Sequence, residues 1–210
     1  VLRNMKTIEA IPLRLRQPSE QEIDAFVKKH GDALDVNTFR AAAASLAGRI
    51  EVRGECYMEK SVFDEINKAQ EKAGLPTFAN PRNASAGSIR QLDPEITRGR
   101  KLSFFGYALI ADAGLREHDQ AHEFMQLLGI AVNPIAERVA SLDAMETFHK
   151  KLGEKRAKLH YWTDGVVVVV NDDALFERLG VVGKTPRDII AYKFPAEQVT
   201  TVVEDIKVQV

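Results

Sequence analysis

The sequence predicts an α+β fold with mostly antiparallel strands and helices packed outside them. Helical and strand patterns alternate irregularly along the 210 residues, and the helices do not fall one between each pair of strands. A doubly wound parallel sheet needs that regular alternation, so it is not expected here. The length suffices for one large domain or two small ones.

Six helices are predicted from apolar residues that are spaced three and four apart. The first opens with a capping box of Ser19 and Glu22 and ends at Gly31. The others are expected at 39–46, from Ser61 to Gly74, at 121–128, from Ser141 to Gly153 and from Asn171 to Gly180.

Five strands are predicted from alternating or continuous apolar residues. They are expected at 49–57, 102–110, 165–170, 188–194 and 199–210. The third is a run of valine, which is typical of a central strand covered on both faces. The long stretch between the first strand and the second, 58–101, holds at least one helix and a turn signal at Asn80-Pro81.

Composition restricts the class of protein. Hydrophobic residues make up 45% and charged residues 28%, which excludes disordered, collagen-like and disulfide-rich chains. The net charge of −1 is not that of a protein that coats nucleic acid. A single cysteine, Cys56, and the lack of a long apolar run favour a cytoplasmic protein with no membrane segment. Because the chain opens on Val1 and closes on an alternating pattern, we expect a domain excised from a longer protein.

Several segments carry residues that could do chemistry, and each has a plain structural alternative. Glu51 and Glu55 share one face of a strand, either as a solvent-facing edge or as carboxylates that accept from a ribose or a base. Residues 78–93 place small residues between Arg82 and Arg90. These two arginines either bind phosphate or are solvated on a surface helix.

Three later residues complete the candidates. Tyr107 could stack on a nucleobase, although aromatic residues in strands mostly belong to the core. Asp164 precedes the valine strand, either as a turn residue or as a carboxylate that needs a cation. Lys193 emerges between two aromatic residues, either as a charge for a phosphate or as a surface lysine. The segments are not specific singly, but their order along the chain is.

The order of five blocks identifies a resemblance. The blocks are Glu-Val-Arg-Gly-Glu (51–55), Phe-Ala-Asn-Pro-Arg-Asn-Ala-Ser-Ala-Gly-Ser-Ile-Arg-Gln-Leu-Asp-Pro (78–94), Phe-Phe-Gly-Tyr (104–107), Asp-Gly-Val-Val-Val (164–168) and Ala-Tyr-Lys-Phe-Pro-Ala (191–196). Together they resemble the adenylation domain of bacterial NAD-dependent DNA ligases, over nearly the whole chain. The resemblance implies an ATP-grasp-like nucleotidyltransferase fold, in which antiparallel sheets surround a nucleotide cleft.

The activity that this resemblance implies is the joining of nicked duplex DNA. In such ligases a lysine attacks the adenylyl phosphorus of NAD and releases nicotinamide mononucleotide. The adenylyl group passes to a 5′-phosphate, and the 3′-hydroxyl then displaces AMP with the assistance of Mg²⁺. The implied protein acts as a cytoplasmic monomer on NAD and nicked DNA.

The resemblance also implies roles for seven residues. Glu55 and Tyr107 would contact the adenosine, with Tyr107 stacked on the adenine. Asp164 and Lys193 would be catalytic residues at the nucleotide phosphate. Contacts to phosphate or nicked DNA are implied for Arg82, Arg90 and Arg156, and Arg82 would contact the nucleotide as well.

Three departures from the family pattern are visible. The family nucleophile lies in Lys-x-Asp-Gly, but Trp162 stands two residues before the only Asp-Gly, Asp164-Gly165. The nucleophile is therefore expected upstream of residue 1, and an oligonucleotide-binding barrel is expected downstream. Val169 stands where the family usually has lysine, which would supply positive charge to the phosphate. Residues 17–48 are longer than the usual connection and build two extra helices.

Two alternative functions stay open on the sequence alone. One is a nucleotide-binding domain that has lost catalysis, which Val169 supports. The other is an ATP-dependent ligase or a capping-type nucleotidyltransferase, which the Asn-Pro-Arg-Asn block at 80–83 argues against.

Overall fold

The computed structural model describes residues 1–46, 48–196 and 200–208. The helices α1 to α9 are Leu2–Met5, Glu20–His30, Val36–Ser45, Lys60–Lys72, Pro81–Ile89, Pro94–Gly99, His118–Leu127, Leu142–Lys155 and Asp173–Leu179. The strands β1 to β6 are Glu51–Tyr57, Ser103–Ile110, Gly165–Val169, Val181–Val182, Thr185–Pro186 and Ile189–Lys193. Short 3₁₀ turns follow α2 at Gly31–Ala33 and α8 at Arg156–Lys158.

The strands of the described residues form three separate antiparallel ribbons. β1 pairs with β2, β3 with β6, and β4 with β5. The predicted α+β class and antiparallel pairing are therefore confirmed, with the strand limits within one or two residues for four of the five predicted strands.

The two helices predicted within 17–48 form, as α2 and α3, and supply part of the core. Ser19 and Glu22 make the expected capping box at the start of α2. The Phe26 ring of α2 stacks on Phe39 of α3 with centroids 4.3 Å apart, and Phe39 meets Phe124 of α7 edge-on at 5.2 Å. This aromatic trio is almost fully buried and anchors both helices to the rest of the molecule.

Helix α5 begins at Pro81, directly at the turn signal of Asn80-Pro81. Asn80 caps it by accepting a hydrogen bond from the backbone of Asn83, and Pro81 occupies the first turn, where no N–H is needed. Ser85 and Ser88 are buried because their hydroxyls donate back to carbonyls one turn earlier, at 2.8 and 2.6 Å. The small residues of this block thus let α5 pack closely against the molecule.

Several helix predictions are wrong in detail. α4 starts at Lys60 with Glu59 at its N-cap position, so Ser61 lies inside the helix. α8 continues through Gly153, which lies against the Phe194 ring, and its first residue, Leu142, points to solvent. Helices α1 and α6 were not predicted.

Two strand predictions are also wrong. The valine strand β3 has one hydrogen-bonded neighbour, and Val167 is 66% exposed, so it is not a central strand covered on both faces. Residues 200–208 form no strand, although they alternate as a strand would. Residues 199, 209 and 210 of that prediction lie outside the described residues.

Within the described ranges, no helix combines the length and apolar character that crossing a bilayer requires.

Candidate nucleotide site

The outward face of the β1–β2 ribbon carries two of the predicted nucleotide contacts. Glu55 lies opposite Phe105 in the ladder, and both point away from the core together with Tyr107. The opposite face turns Phe104 into the core. Tyr107 is 52% exposed, which leaves its ring accessible to a ligand.

Tyr107 lies at a β-bulge. Arg53 pairs with Ala108 and the next residue, Gly54, pairs with Gly106, so Tyr107 has no partner in the ladder. Its carbonyl instead accepts a hydrogen bond from Nε2 of His122 on α7, at 3.0 Å. Since a carbonyl only accepts, Nε2 must carry the proton. Sequence analysis missed His122, because a bulge and its partner depend on strand register.

His118 lies one helical turn before His122, and the two rings are 4.6 Å apart. Burial, together with the neighbouring His122, lowers the pKa of His118 to about 4. Between pH 6.5 and 4 the unfolded chain therefore binds a proton that the folded chain does not. We expect the free energy of unfolding to fall by on the order of 2 kcal/mol as the pH drops through this range.

Urea unfolding measured at several pH values tests this expectation. The His118→Asn variant should show a shallower loss of stability between pH 6.5 and 4 than the original chain. Parallel curves for the two proteins would contradict it.

A cluster of aromatic rings links the β1–β2 face to the segment that leads to Asp164. Tyr57 stacks on Phe105 at 4.7 Å, and Tyr161 meets these two rings edge-on at 5.5 and 5.8 Å. The carbonyl of His160 accepts a hydrogen bond from the backbone of Lys60 at 2.8 Å. Tyr161 is buried, so the chain that enters β3 is fixed on the ribbon.

Asp164 and Lys193 meet where β3 and β6 pair. Gly165 lies opposite Lys193 in the ladder, and the Phe194 amide donates to the Asp164 carbonyl at 2.8 Å. The Lys193 Nζ donates to Asp164 Oδ2 at 2.8 Å, and both side chains are largely exposed. This ammonium holds the pKa of the Asp164 carboxyl below its ordinary value, and the Arg82 guanidinium contributes in the same direction.

Gly165 allows this close approach. A Cβ at this position would lie 2.5 Å from the Tyr192 carbonyl oxygen and 2.8 Å from the Lys193 Cα. Because both atoms belong to the backbone of β6, neither can turn aside. The Asp-Gly pair thus serves the geometry of the Asp164–Lys193 contact.

Helix α8 and the 3₁₀ turn that follows it pack against β6 and Phe194. The His149 ring stacks on Tyr192 at 3.9 Å, and its Nε2 donates to the Lys193 carbonyl at 3.2 Å. The Arg156 guanidinium lies 5.5 Å from the centre of the Phe194 ring. Arg156 therefore contacts Phe194, the residue that directly follows Lys193 at the end of β6.

Arg90 lies at the far end of α5 from Arg82. Its Nε donates to the Ala86 carbonyl at 3.0 Å, and its side chain is exposed. Nothing in the structure brings Arg90 to Asp164 or Lys193. It belongs to a separate basic surface.

Four of the predicted residues thus lie in two places: Glu55 with Tyr107 on the outward face of the β1–β2 ribbon, and Asp164 with Lys193 at the end of β3, where the charge of Arg82 also acts on Asp164. Hollows among the described residues lie elsewhere, one lined by Ala42 and Phe124 and one lined by Phe26. One cleft shared by all five residues stays a prediction.

Other chemistry has little support among the described residues. No group of three His, Cys, Asp or Glu side chains in 1–46, 48–196 and 200–208 could hold a metal ion. Burial raises the pKa of the Cys56 thiol to about 11, so this cysteine is protonated at neutral pH and has low reactivity.

Small antiparallel ribbons with surrounding helices, and an exposed Lys193–Asp164 pair at a strand end, agree with the architecture expected of an adenylation domain of the nucleotidyltransferase type. Comparison with known proteins agrees with this class. The chain belongs to the family described as NAD-dependent DNA ligase adenylation domain, whose profile matches residues 38–197.

Individual relatives support the assignment. The chain is 47% identical over 175 residues to a protein named DNA ligase from Azorhizobium caulinodans, an alignment that covers 81% of this chain and 24% of that protein. It is 40% identical over 212 residues to the DNA ligase of Shouchella clausii, with 100% and 27% covered. It is 42% identical over 209 residues to that of Desulforamulus reducens, with 99% and 27% covered. The chain therefore spans about a quarter of the length of these relatives.

Proposed function

We propose that this chain is the nucleotide- and phosphate-contacting part of a ligase that joins nicked duplex DNA through a lysyl-adenylate formed from NAD. The observation that carries the proposal is the exposed Lys193–Asp164 pair, whose carboxylate also feels the positive charge of Arg82. An exposed lysine that a carboxylate orients is suited to bind a phosphate. The enzyme would act as a monomer in the cytoplasm.

The side chains divide the nucleotide between them. Tyr107 offers a half-exposed ring for the adenine, and Glu55, on the same face, offers an acceptor for the ribose or base. Lys193 and Arg82 would stabilise the charge that develops on the adenylyl phosphate when the bond to nicotinamide mononucleotide breaks. Asp164 would orient Lys193. Contacts to the phosphates of nicked DNA would come from Arg90 and Arg156.

Mg²⁺ fits this site only in company with the substrate. Asp164 is the one carboxylate in the group, and Mg²⁺ commonly binds through one carboxylate together with substrate phosphates. The ion would supply further positive charge at the phosphate. The residues on this chain hold and orient that phosphate without it.

The proposal is tested by nucleotide binding to the chain as it stands. Trp162 is the only tryptophan, is 65% exposed and lies two residues before Asp164, so its fluorescence reports on the site. We expect AMP and NAD to change this fluorescence and Lys193→Met to weaken AMP at least about tenfold. Lys68→Met, on the exposed face of α4, is the matched control. No response to AMP or NAD would contradict the proposal.

A second expected result concerns the missing nucleophile. The 210 residues contain no Lys-x-Asp-Gly, so we propose that the lysine that takes the adenylyl group is supplied by sequence outside them. Incubation of this chain with adenylyl-labelled NAD should give no phosphoramidate adduct, whereas the complete product of the gene should give one. A labelled lysine in the chain alone would refute this.

A third expected result concerns Val169. It pairs with Ile189 and lies on the face of β3 that carries Lys193 at its other end. Val169→Lys should therefore place an ammonium on the phosphate side and tighten AMP about tenfold, or speed adenylyl transfer in the complete product. Ile190→Lys, which adds the same charge to the opposite face, is the control. Equal effects of the two variants, or none, would assign the phosphate charge to another cation such as Lys184.

A domain that has lost catalysis is the second candidate, and Val169 is the observation that favours it. This candidate predicts nucleotide binding without adenylate formation by the complete product. An ATP-dependent ligase or capping-type enzyme predicts an adenylate from ATP. Comparison of ATP with NAD as donor separates it from the proposed function.

A further inference from the structure

The turn between helices α5 and α6 carries a fully exposed leucine. Leu92 is 101% exposed and is the most exposed of the large apolar side chains that the structure describes. Ile96, on the first turn of α6, is also exposed. A leucine in this state gains nothing from the hydrophobic effect in the free chain, so its whole apolar surface is available to a partner.

This turn is held in place from behind. The buried Asn4 donates from Nδ2 to the carbonyls of Ile89 and Gln91, at 2.8 and 2.6 Å. The buried Thr97 hydroxyl donates to the Ser88 carbonyl at 2.8 Å. These contacts fix the two helices on either side of Leu92, so presenting the leucine costs little further ordering on binding.

Further contacts fix the turn itself. The Asp93 carboxylate caps α6 by accepting from the Glu95 amide at 2.9 Å. The Gln91 amide donates to the Ser88 carbonyl at 3.3 Å. Leu92 therefore projects from a braced turn.

The surroundings of Leu92 are basic. Residues 90–101 contain four basic and two acidic side chains, whereas the whole chain has a net charge of −1. The basic residues are Arg90, Arg98, Arg100 and Lys101. Three of the four are exposed, and Arg98 pairs with the exposed Glu95. Such a surface attracts a polyanion.

We propose that the α5–α6 turn docks on duplex DNA, with the arginines on the phosphates and Leu92 inserted into the minor groove at the nick. Apolar side chains that wedge between base steps are a common means of binding the minor groove. A nick interrupts one strand, which makes the adjacent base step easier to open. The inference rests on the proposed function and deepens it, because it adds a side chain that recognises the nick.

The test is DNA binding by this chain at low ionic strength. A nicked duplex carries 2-aminopurine beside the nick, and anisotropy gives the affinity while 2-aminopurine fluorescence reports unstacking. Leu92→Ala should weaken binding about tenfold and abolish the rise in fluorescence. The salt dependence should stay unchanged, since no charge is removed. Leu142→Ala, which truncates a leucine that is 76% exposed on α8, is the matched control and should behave as the original chain.

Other outcomes overturn the inference. Equal affinity and fluorescence for Leu92→Ala and Leu142→Ala would remove Leu92 from the interface, and a chain that does not bind DNA at low ionic strength would do the same. Reduced self-association of Leu92→Ala with unchanged DNA binding would assign Leu92 to a second copy. The AMP titration on Trp162 separates the two proposals, because nucleotide binding does not involve Leu92. A normal AMP response with no Leu92 effect rejects the wedge alone, whereas a missing AMP response rejects the proposed function.

Discussion

Lys193→Met is expected to slow adenylyl transfer from NAD by the complete product of the gene at least about a hundredfold. The variant removes the ammonium that lies 2.8 Å from Asp164 and keeps a side chain of similar length. Charge builds up on the phosphate in the transition state, and the loss of one preorganised donor costs this order of magnitude. Because the ion pair is largely exposed, the free energy of unfolding should change little.

Single-turnover formation of the labelled adenylate measures this effect, and urea unfolding checks that the fold is retained. Lys68→Met is again the control, because it removes an equally exposed charge from α4. A Lys193→Met rate within about threefold of the original would show that Lys193 does not act on the phosphate.

Gly165→Ala is expected to destabilise the protein by about 3 kcal/mol. The added methyl would overlap the backbone of β6 at Tyr192 and Lys193, so the two strands must separate where the Asp164–Lys193 contact forms. Stability and AMP affinity should therefore fall together.

Gly87→Ala provides the comparison for Gly165→Ala. Gly87 lies inside α5, and a methyl group added there would meet no atom within 4 Å beyond the neighbouring backbone of the helix. Alanine should therefore be neutral or stabilising at this position. Urea unfolding of both variants measures the difference. Equal stabilities would show that β3 and β6 approach each other less tightly than the distances at Gly165 indicate.

Local sequence patterns predicted most elements of this fold and failed where tertiary pairing decides. The capping box at Ser19 is a local signal, and it is confirmed. Residues 200–208 have an equally clear alternation, but a strand also needs a hydrogen-bonded neighbour, and the described residues supply none there. Helix α6 did have a signal, the Asp93 cap followed by Pro94, but at six residues it is too short for apolar periodicity.

The candidate site shows the same division. Patterns singled out Asp164 and Lys193, but each had an ordinary structural explanation, and only the order of the blocks favoured the functional one. No local pattern could show that residues 29 positions apart form an ion pair. The bulge at Tyr107 and its contact with His122 likewise depend on how β1 and β2 align.

The aromatic trio of Phe26, Phe39 and Phe124 bears on how the segment 17–48 can evolve. Two of its three rings come from that segment, and the third comes from α7, the helix that also holds His122 against Tyr107. Replacing the segment by a shorter loop would therefore remove two of the three rings of the aromatic trio. Any lineage that shortened it would have to fill the space around Phe124 with other side chains at the same time, or loosen the helix whose His122 binds the Tyr107 carbonyl.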